Sequence, residues 1–217
     1  MMVYHFLNHK YALEGINKRK LKIATIMDLN DPFEFLSVNL SDRDLRQAFN
    51  HTKKSLSEKF GLLCFSKSWS NPVQWSHYAD SHKGACLGFE VPDVSLEHIK
   101  YSSKRMNMLA ENMGAANQMT EENMKKALTT KYSHWRYEQE ARMYVELEKM
   151  KVNGLYFYEF GSKFKLKQVI VGTHSKITRS MVAESLGDLS TSVEMFKARA
   201  AFKTFRIVRN KNESLWG

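Results

Sequence analysis

The chain has 217 residues, 43% hydrophobic and 26% charged, with 33 Lys and Arg against 23 Asp and Glu for a net charge of +10. That apolar content sustains a core and excludes a disordered chain, and only 3 prolines and 10 glycines exclude collagen-like, mucin-like or linker-rich architectures. The longest apolar runs, 61–65 and 169–172, fall far short of the roughly 20 residues of a membrane span, and no secretory leader is read at the start, so a cytoplasmic protein without membrane contact is expected.

Residues 3–7 read as an opening strand carrying Tyr4 and His5, 13–20 as a short helix and 21–26 as a second strand. Asn30-Asp31-Pro32 is turn chemistry, because a proline pushes the residue before it out of the helical region. A helix over 40–59 starts at Ser41 or Asp42, and the unbroken apolar run of 61–66 reads as an interior strand. Pro72 opens a helix that runs to about residue 81, Gly84 closes it as a C-terminal glycine, and 85–91 is another strand. Cys64 and Cys86 lie in strand-like stretches and read as buried free thiols, with no Cys/His spacing that calls for a metal.

Residues 103–131 change texture. Met106, Met108, Met113, Met119 and Met124 sit among polar residues, and Met106, Leu109 and Met113 can share a helical face. The reading is a helical insertion packed on the core, with a lid or a methionine-rich partner surface as the alternative. Strands follow at 136–147, 155–160 and 166–171, then a helix at about 177–186 and a last strand at 202–208. Mixed, mostly non-local strands with intervening helices predict a single α+β domain over 1–217.

Charge is uneven. Residues 151–217 carry 12 basic and 5 acidic groups, so +7 of the +10 belongs to the last third. Lys163, Lys165 and Lys167 alternate and would share one face of a strand, a candidate nucleic-acid contact; a plain basic surface explains them equally well.

Two further clusters stand out. On a helix, Trp75, Tyr78 and His82 share a face that either packs on a sheet or presents Tyr78 to a flat cofactor ring. Read with period two, Arg136, Glu138, Glu140, Arg142 and Tyr144 lie opposite Tyr137, Ala141, Met143 and Val145. That face is either solvated and laced by opposite charges, or it holds two carboxylates that arginines keep ionised in a cleft.

Asn30-Asp31-Pro32-Phe33-Glu34, then Trp75-Ser76-His77-Tyr78-Ala79-Asp80 with Gly84, then Trp135 with Tyr137-Glu138-x-Glu140-x-Arg142, resembles a large, mostly uncharacterised bacterial domain family over most of residues 3–172. That family looks like a divergent branch of the ADP-ribosyltransferases. The resemblance implies split antiparallel sheets with flanking helices around an NAD-binding cleft. His5 would hydrogen-bond the NAD ribose and amide, and Tyr78, with Trp75 on its face, would stack on nicotinamide. Arg142 would offer a fork to the pyrophosphate. Glu140 would bind a ribose hydroxyl and stabilise the positive charge that develops as nicotinamide leaves, and Glu138 would orient or deprotonate the acceptor.

The expected function is therefore NAD-dependent ADP-ribosyl transfer to a macromolecule. An RNA or DNA acceptor is favoured by the basic last third, with protein as the alternative acceptor. The resemblance also implies a toxin or phage-defence effector with an antitoxin or regulatory partner. A non-catalytic nucleic-acid-binding module is the rival from another class, and a metal-dependent nuclease using Asp31, Glu34, Glu138 and Glu140 ranks last.

Overall fold

A computed structural model describes residues 1–107, 121–147 and 152–216. Its elements are β1 (Met2–Leu7), α1 (His9–Asn17), β2 (Lys20–Thr25), α2 (Arg43–Lys59), β3 (Phe60–Ser66), α3 (Pro72–Tyr78), β4 (Ala85–Glu90), β5 (Glu97–His98), β6 (Lys100–Ser102), α4 (Glu121–Leu128), β7 (Thr130–Tyr132), β8 (Glu140–Glu146), β9 (Tyr156–Glu159), β10 (Lys165–Val171), α5 (Arg179–Leu186), β11 (Glu194–Ala200) and β12 (Ile207–Arg209). This is a mixed α and β structure around a mostly antiparallel sheet in the order β12-β11-β10-β4-β1-β3-β2-β9, with β8 on β3 and β5 on β8. The β10–β11 pair is parallel and α5 makes the crossover; β6 and β7 form a separate parallel pair.

Alternation along the strands sends their side chains to two cores. Val3, Leu63, Leu87 and Val169 pack under α1 and α5 with Ile16, Val182 and Leu186. Cys86, Ile170 and Phe196 pack on the other side around Trp75 of α3. No helix among the described residues is long and apolar enough to cross a membrane.

The feature that makes a site is a split in the sheet. β3 pairs with β8 along its whole length, but on its other edge it pairs with β2 at Gly61 and Leu62 and with β1 only at Tyr4↔Ser66. β1 otherwise follows β4, from Met2↔Glu90 to Leu7↔Ala85. The two strands therefore diverge beyond Tyr4, and His5 Nδ1 donates to the Cys64 carbonyl at 2.8 Å where a backbone ladder bond would otherwise run.

Several expectations shift against the structure. The first helix begins at His9, earlier than 13, because the Asn8 side chain caps it by accepting from Tyr11 N. The second starts at Arg43 with Asp42 as cap, as one of the two expected starts. α3 stops at Tyr78 and His82 lies outside it; Asp80, Ser81 and His82 all take positive φ, so Gly84 does not end the helix. Gly84 is instead a point of close approach, since a Cβ there would meet Leu7 O at 2.0 Å and Asn8 Cα at 2.9 Å. Because both are backbone atoms, Gly84→Ala is expected to cost about 1–3 kcal/mol, read as a lowered thermal midpoint.

The expected strand over 136–147 is half wrong. Residues 133–138 form a 3-10 helix and only Glu140–Glu146 is strand, with Gln139 left-handed (φ 47°) between them. The last strand is also misplaced, as β11 and β12 flank residues 201–206, where Phe202 and Phe205 lie exposed in a loop. Within 103–131, α4 is helical, but Met106 makes a lone bridge to Val38 and residues 130–132 are strand. Met108, Leu109, Met113 and Met119 lie outside the described residues.

Candidate functional site

The split between β1 and β3 opens into a cavity of about 290 Å³, at the small end of the roughly 300–1,000 Å³ usual for small-molecule sites. Its lining brings together His5 of β1, Tyr78 and Gln74 of α3, and Glu138 and Glu140 on either side of Gln139. Local chemistry aims each of them. Asn71 caps α3 by accepting from Val73 N, Pro72 opens its first turn, and positions 74 and 78 then share a face. Asp31 Oδ1 accepts from Phe33 N in a tight turn that sends Glu34 inward, to 3% exposure.

One wall of the cavity is a buried ion network of three carboxylates and two cations, of which only Arg142 does not line it. Lys131 Nζ reaches Glu138 Oε2 at 2.7 Å, Glu34 Oε1 at 3.1 Å and Glu140 Oε2 at 3.2 Å. Arg142 reaches Glu140 through Nε at 2.6 Å and Nη2 at 3.0 Å, and Glu34 through Nη2 at 2.7 Å. The formal sum is one negative charge in excess, in a place where all five side chains are nearly inaccessible. The cations are shared unevenly: Glu140 takes three contacts from them and Glu34 two, whereas Glu138 takes one from Lys131 and one from the neutral Tyr78 hydroxyl.

Titration follows from these contacts. Burial pushes the Glu138 pKa above the usual glutamate range against the pull of Lys131 and Tyr78. Burial acts in the same direction on Glu140, but Arg142 and then Lys131 outweigh it and hold that carboxyl below the usual range. Burial opposes charge on Lys131, and Glu140, Glu34 and Glu138 overcome it, so the ammonium stays protonated. Burial, then the Glu138 charge, raises the Tyr78 phenol, which therefore remains a donor; Asn30 Nδ2 donates to the same oxygen at 3.1 Å. Burial lowers the His5 pKa, and since Cys64 O only accepts, the proton sits on Nδ1 and Nε2 is left as an acceptor.

Four of the residues given a role at NAD, His5, Tyr78, Glu138 and Glu140, thus line one cavity, as does Glu34 of the nuclease alternative. Two do not. Trp75 is 0% exposed, packs edge-on against Phe6 and donates Nε1 to Trp69 O at 2.6 Å, so it is core. Arg142 is 1% exposed with its guanidinium held by Glu140 and Glu34, so it positions carboxylates and cannot grip a pyrophosphate. The solvated-face reading of 136–144 fails for the same reason, since Glu138, Glu140 and Arg142 are all buried. Lys163, Lys165 and Lys167 are exposed and alternate, but none lines the cavity.

Sequence reasoning gave no place in an NAD site to Gln74, Lys131, Glu34 or Asn30. Gln74 carried a usable signal, one turn before Tyr78. Its Nε2, with two N–H groups, lies within hydrogen-bond reach of three acceptors, Glu138 O at 2.6 Å, Ser66 Oγ at 3.0 Å and Tyr137 O at 3.1 Å, and its buried Oε1 has no partner among the described residues. The nuclease alternative loses its centre. Glu34, Glu138 and Glu140 do converge, but on Lys131 and Arg142, and among the described residues no group of three acidic, histidine or cysteine side chains is arranged to hold a metal ion.

A family model described as "Protein of unknown function (DUF2971)" matches residues 74–143, about a third of the chain. The matched stretch runs from Gln74 to Met143 and includes Tyr78, Lys131, Glu138, Glu140 and Arg142, but neither His5 nor Glu34. It agrees with a resemblance to an uncharacterised domain family and carries no activity. No curated protein and no solved structure matches the chain.

Proposed function

We propose that the cavity binds the nicotinamide-ribose half of NAD and that the protein transfers ADP-ribose to a macromolecular acceptor. One observation carries the reading: His5, Tyr78 and the carboxylates Glu138 and Glu140 come from three remote segments to line a single split in an antiparallel sheet. In this reading His5 Nε2 accepts from a ribose hydroxyl, the Tyr78 ring packs on nicotinamide, and Gln74 Oε1 accepts from its carboxamide. A second, open depression shares Phe6 and Tyr78 with the first and includes Asn8, Lys10 and Tyr11 at the start of α1. Lys10 at the start of α1 suits the pyrophosphate, and the exposed Tyr11 ring suits adenine.

As the glycosidic bond breaks, its electron pair leaves with nicotinamide and positive charge develops on the ribose. A fixed carboxylate with the fewest cation contacts of its own stabilises that charge most. The contacts therefore favour Glu138 for this role, which the resemblance gives to Glu140, and make Glu140 a positioning residue. The acceptor's nucleophile then bonds to the ribose carbon and gives up its proton, with Glu138 as the base within reach.

Labelled NAD tests the reading, incubated with the wild-type chain and RNA, DNA or protein acceptors, alongside thermal shift with NAD. A ligand that binds only the native state stabilises it by about 2.7 kcal/mol at 100 times its Kd. Folded protein that shows neither a shift at millimolar NAD nor nicotinamide release with any acceptor would overturn it. The pH profile is a sharper check. Glu138 works ionised, and its pKa is raised, so turnover is expected to fall on the acid side with a midpoint above the ordinary 4.5 of glutamate. An acid limb at or below that value would assign the role to Glu140, whose pKa is lowered.

A further inference from the structure

β11 and β12 form a hairpin whose loop, residues 201–206, is closed by Ala201 N donating to Arg206 O at 2.9 Å. Phe202 is 90% exposed and Phe205 99% exposed, although folding normally withdraws such rings from water. Around them the charge is one-sided: Met195 to Asn212 contains Lys197, Arg199, Lys203, Arg206, Arg209 and Lys211 and no carboxylate. Arg209 is neutralised by Glu194 and Glu213, but Arg199, Lys203 and Arg206 make no ion pair among the described residues. The Arg199 guanidinium lies over the Phe202 ring at 4.2 Å.

We propose that this hairpin is a binding surface for single-stranded nucleic acid, with Phe202 and Phe205 as stacking platforms for bases and Arg199, Lys203 and Arg206 as phosphate contacts. Stacked bases and tracked phosphates are the pairing that sequence-tolerant single-strand binders use, because every base has a π-face. A bilayer fits the same loop poorly. Lys203 and Thr204 lie between the two rings, and burying Phe202 would carry the guanidinium on its face below the headgroups.

The surface differs from the lysine triplet that the sequence singles out. Val171 pairs with Lys197, so the loop lies beyond the C-terminal end of β10, whereas Lys163, Lys165 and Lys167 lie at or just before its start, roughly 30–40 Å away along the strands at 3.3 Å per residue. The hairpin end is also the end of the sheet where β1 delivers Leu7 to the second depression. Ile207 N donates to Ser70 O at 2.8 Å, Arg206 Nη2 donates to Ser70 Oγ at 3.0 Å, and Phe196 packs on Trp69. These contacts tie the hairpin to the segment that runs directly into α3, which carries Gln74 and Tyr78.

The test is anisotropy of fluorescein-labelled 12-nucleotide oligo(U) and oligo(dT), a duplex of equal length, and co-sedimentation with phosphatidylserine-containing vesicles, all without NAD. Expected are single-strand binding that weakens with salt, a loss on the order of 10-fold for each of Phe202→Ala and Phe205→Ala, and duplex binding insensitive to both. Both rings are solvent-exposed, so these variants should melt at the wild-type temperature. Single-strand affinity unchanged by both substitutions, absence of binding at low salt, or ring-dependent capture by vesicles in place of oligonucleotides would each overturn the proposal. Because NAD plays no part in the assay, such a failure leaves the reading of the cavity standing, and a failed NAD assay leaves the hairpin standing.

Discussion

Glu138→Gln is expected to lower NAD turnover by about 100- to 1,000-fold while the protein stays folded, the scale on which removal of one preorganised electrostatic group acts. The substitution keeps the shape of the side chain and an oxygen for the Tyr78 hydroxyl. Lys131 retains Glu34 and Glu140, so no cation is stranded. What disappears is the one negative charge by which the network exceeds its cations. Glu140→Gln is the informative partner experiment. It takes from Arg142 its two bonds to the Glu140 carboxylate and leaves it Glu34 alone, so its main effect should be a lowered melting temperature, with activity falling alongside. Measuring kcat and Tm for both variants separates the roles. If Glu140→Gln abolishes turnover at unchanged Tm and Glu138→Gln is nearly active, the assignment made here is reversed.

Arg142→Met carries the largest expected effect on stability, about 3–5 kcal/mol, because removing one member of a buried ion pair strands the other charge. The stranded groups are Glu34 and Glu140, which would share Lys131 alone with Glu138. For a chain of this size that corresponds to a fall in Tm of roughly 10 °C by calorimetry or circular dichroism. A drop below about 3 °C would show that the guanidinium does not bind both carboxylates as described. A double-mutant cycle with Glu140→Gln should recover part of the loss, since groups in contact are not additive. Acid should mimic the same injury. Glu140 has a depressed pKa in the folded state, so its stabilisation is complete above the unfolded value of 4.5 and is lost as pH falls through the depressed one.

Features that depend on neighbours in sequence were readable before the fold was known. The Asp42 and Pro72 helix starts and the apolar runs of β3 and β4 all follow from patterning and capping within a few residues. Together they were enough for an α+β class and for a set of candidates that includes four cavity residues. Where local patterning misled, a competing local feature was responsible. Phe202 and Phe205 imitate a strand's apolar positions yet sit at a hairpin tip, while the true strand from Glu194 reads as weakly apolar because its exposed face is polar.

Other choices belong to tertiary structure alone. Helical spacing puts Trp75 and Tyr78 on one face but does not say which of them meets the cavity; the β1–β4–β10–β11 surface takes Trp75 and leaves Tyr78 to Glu138. The split between β1 and β3 exists because β3 is shared by three strands, a matter of long-range register. The ion network joins Glu34 to Arg142 across 108 positions of the chain. An isolated segment would keep both groups in water, where the pair is worth little. Only the closed core removes the solvent that screens them, and there five charges must find one another or the fold bears their desolvation unrelieved. Composition and periodicity thus settled which residues were available for chemistry, while dehydration inside the assembled sheet decided which of them became a site.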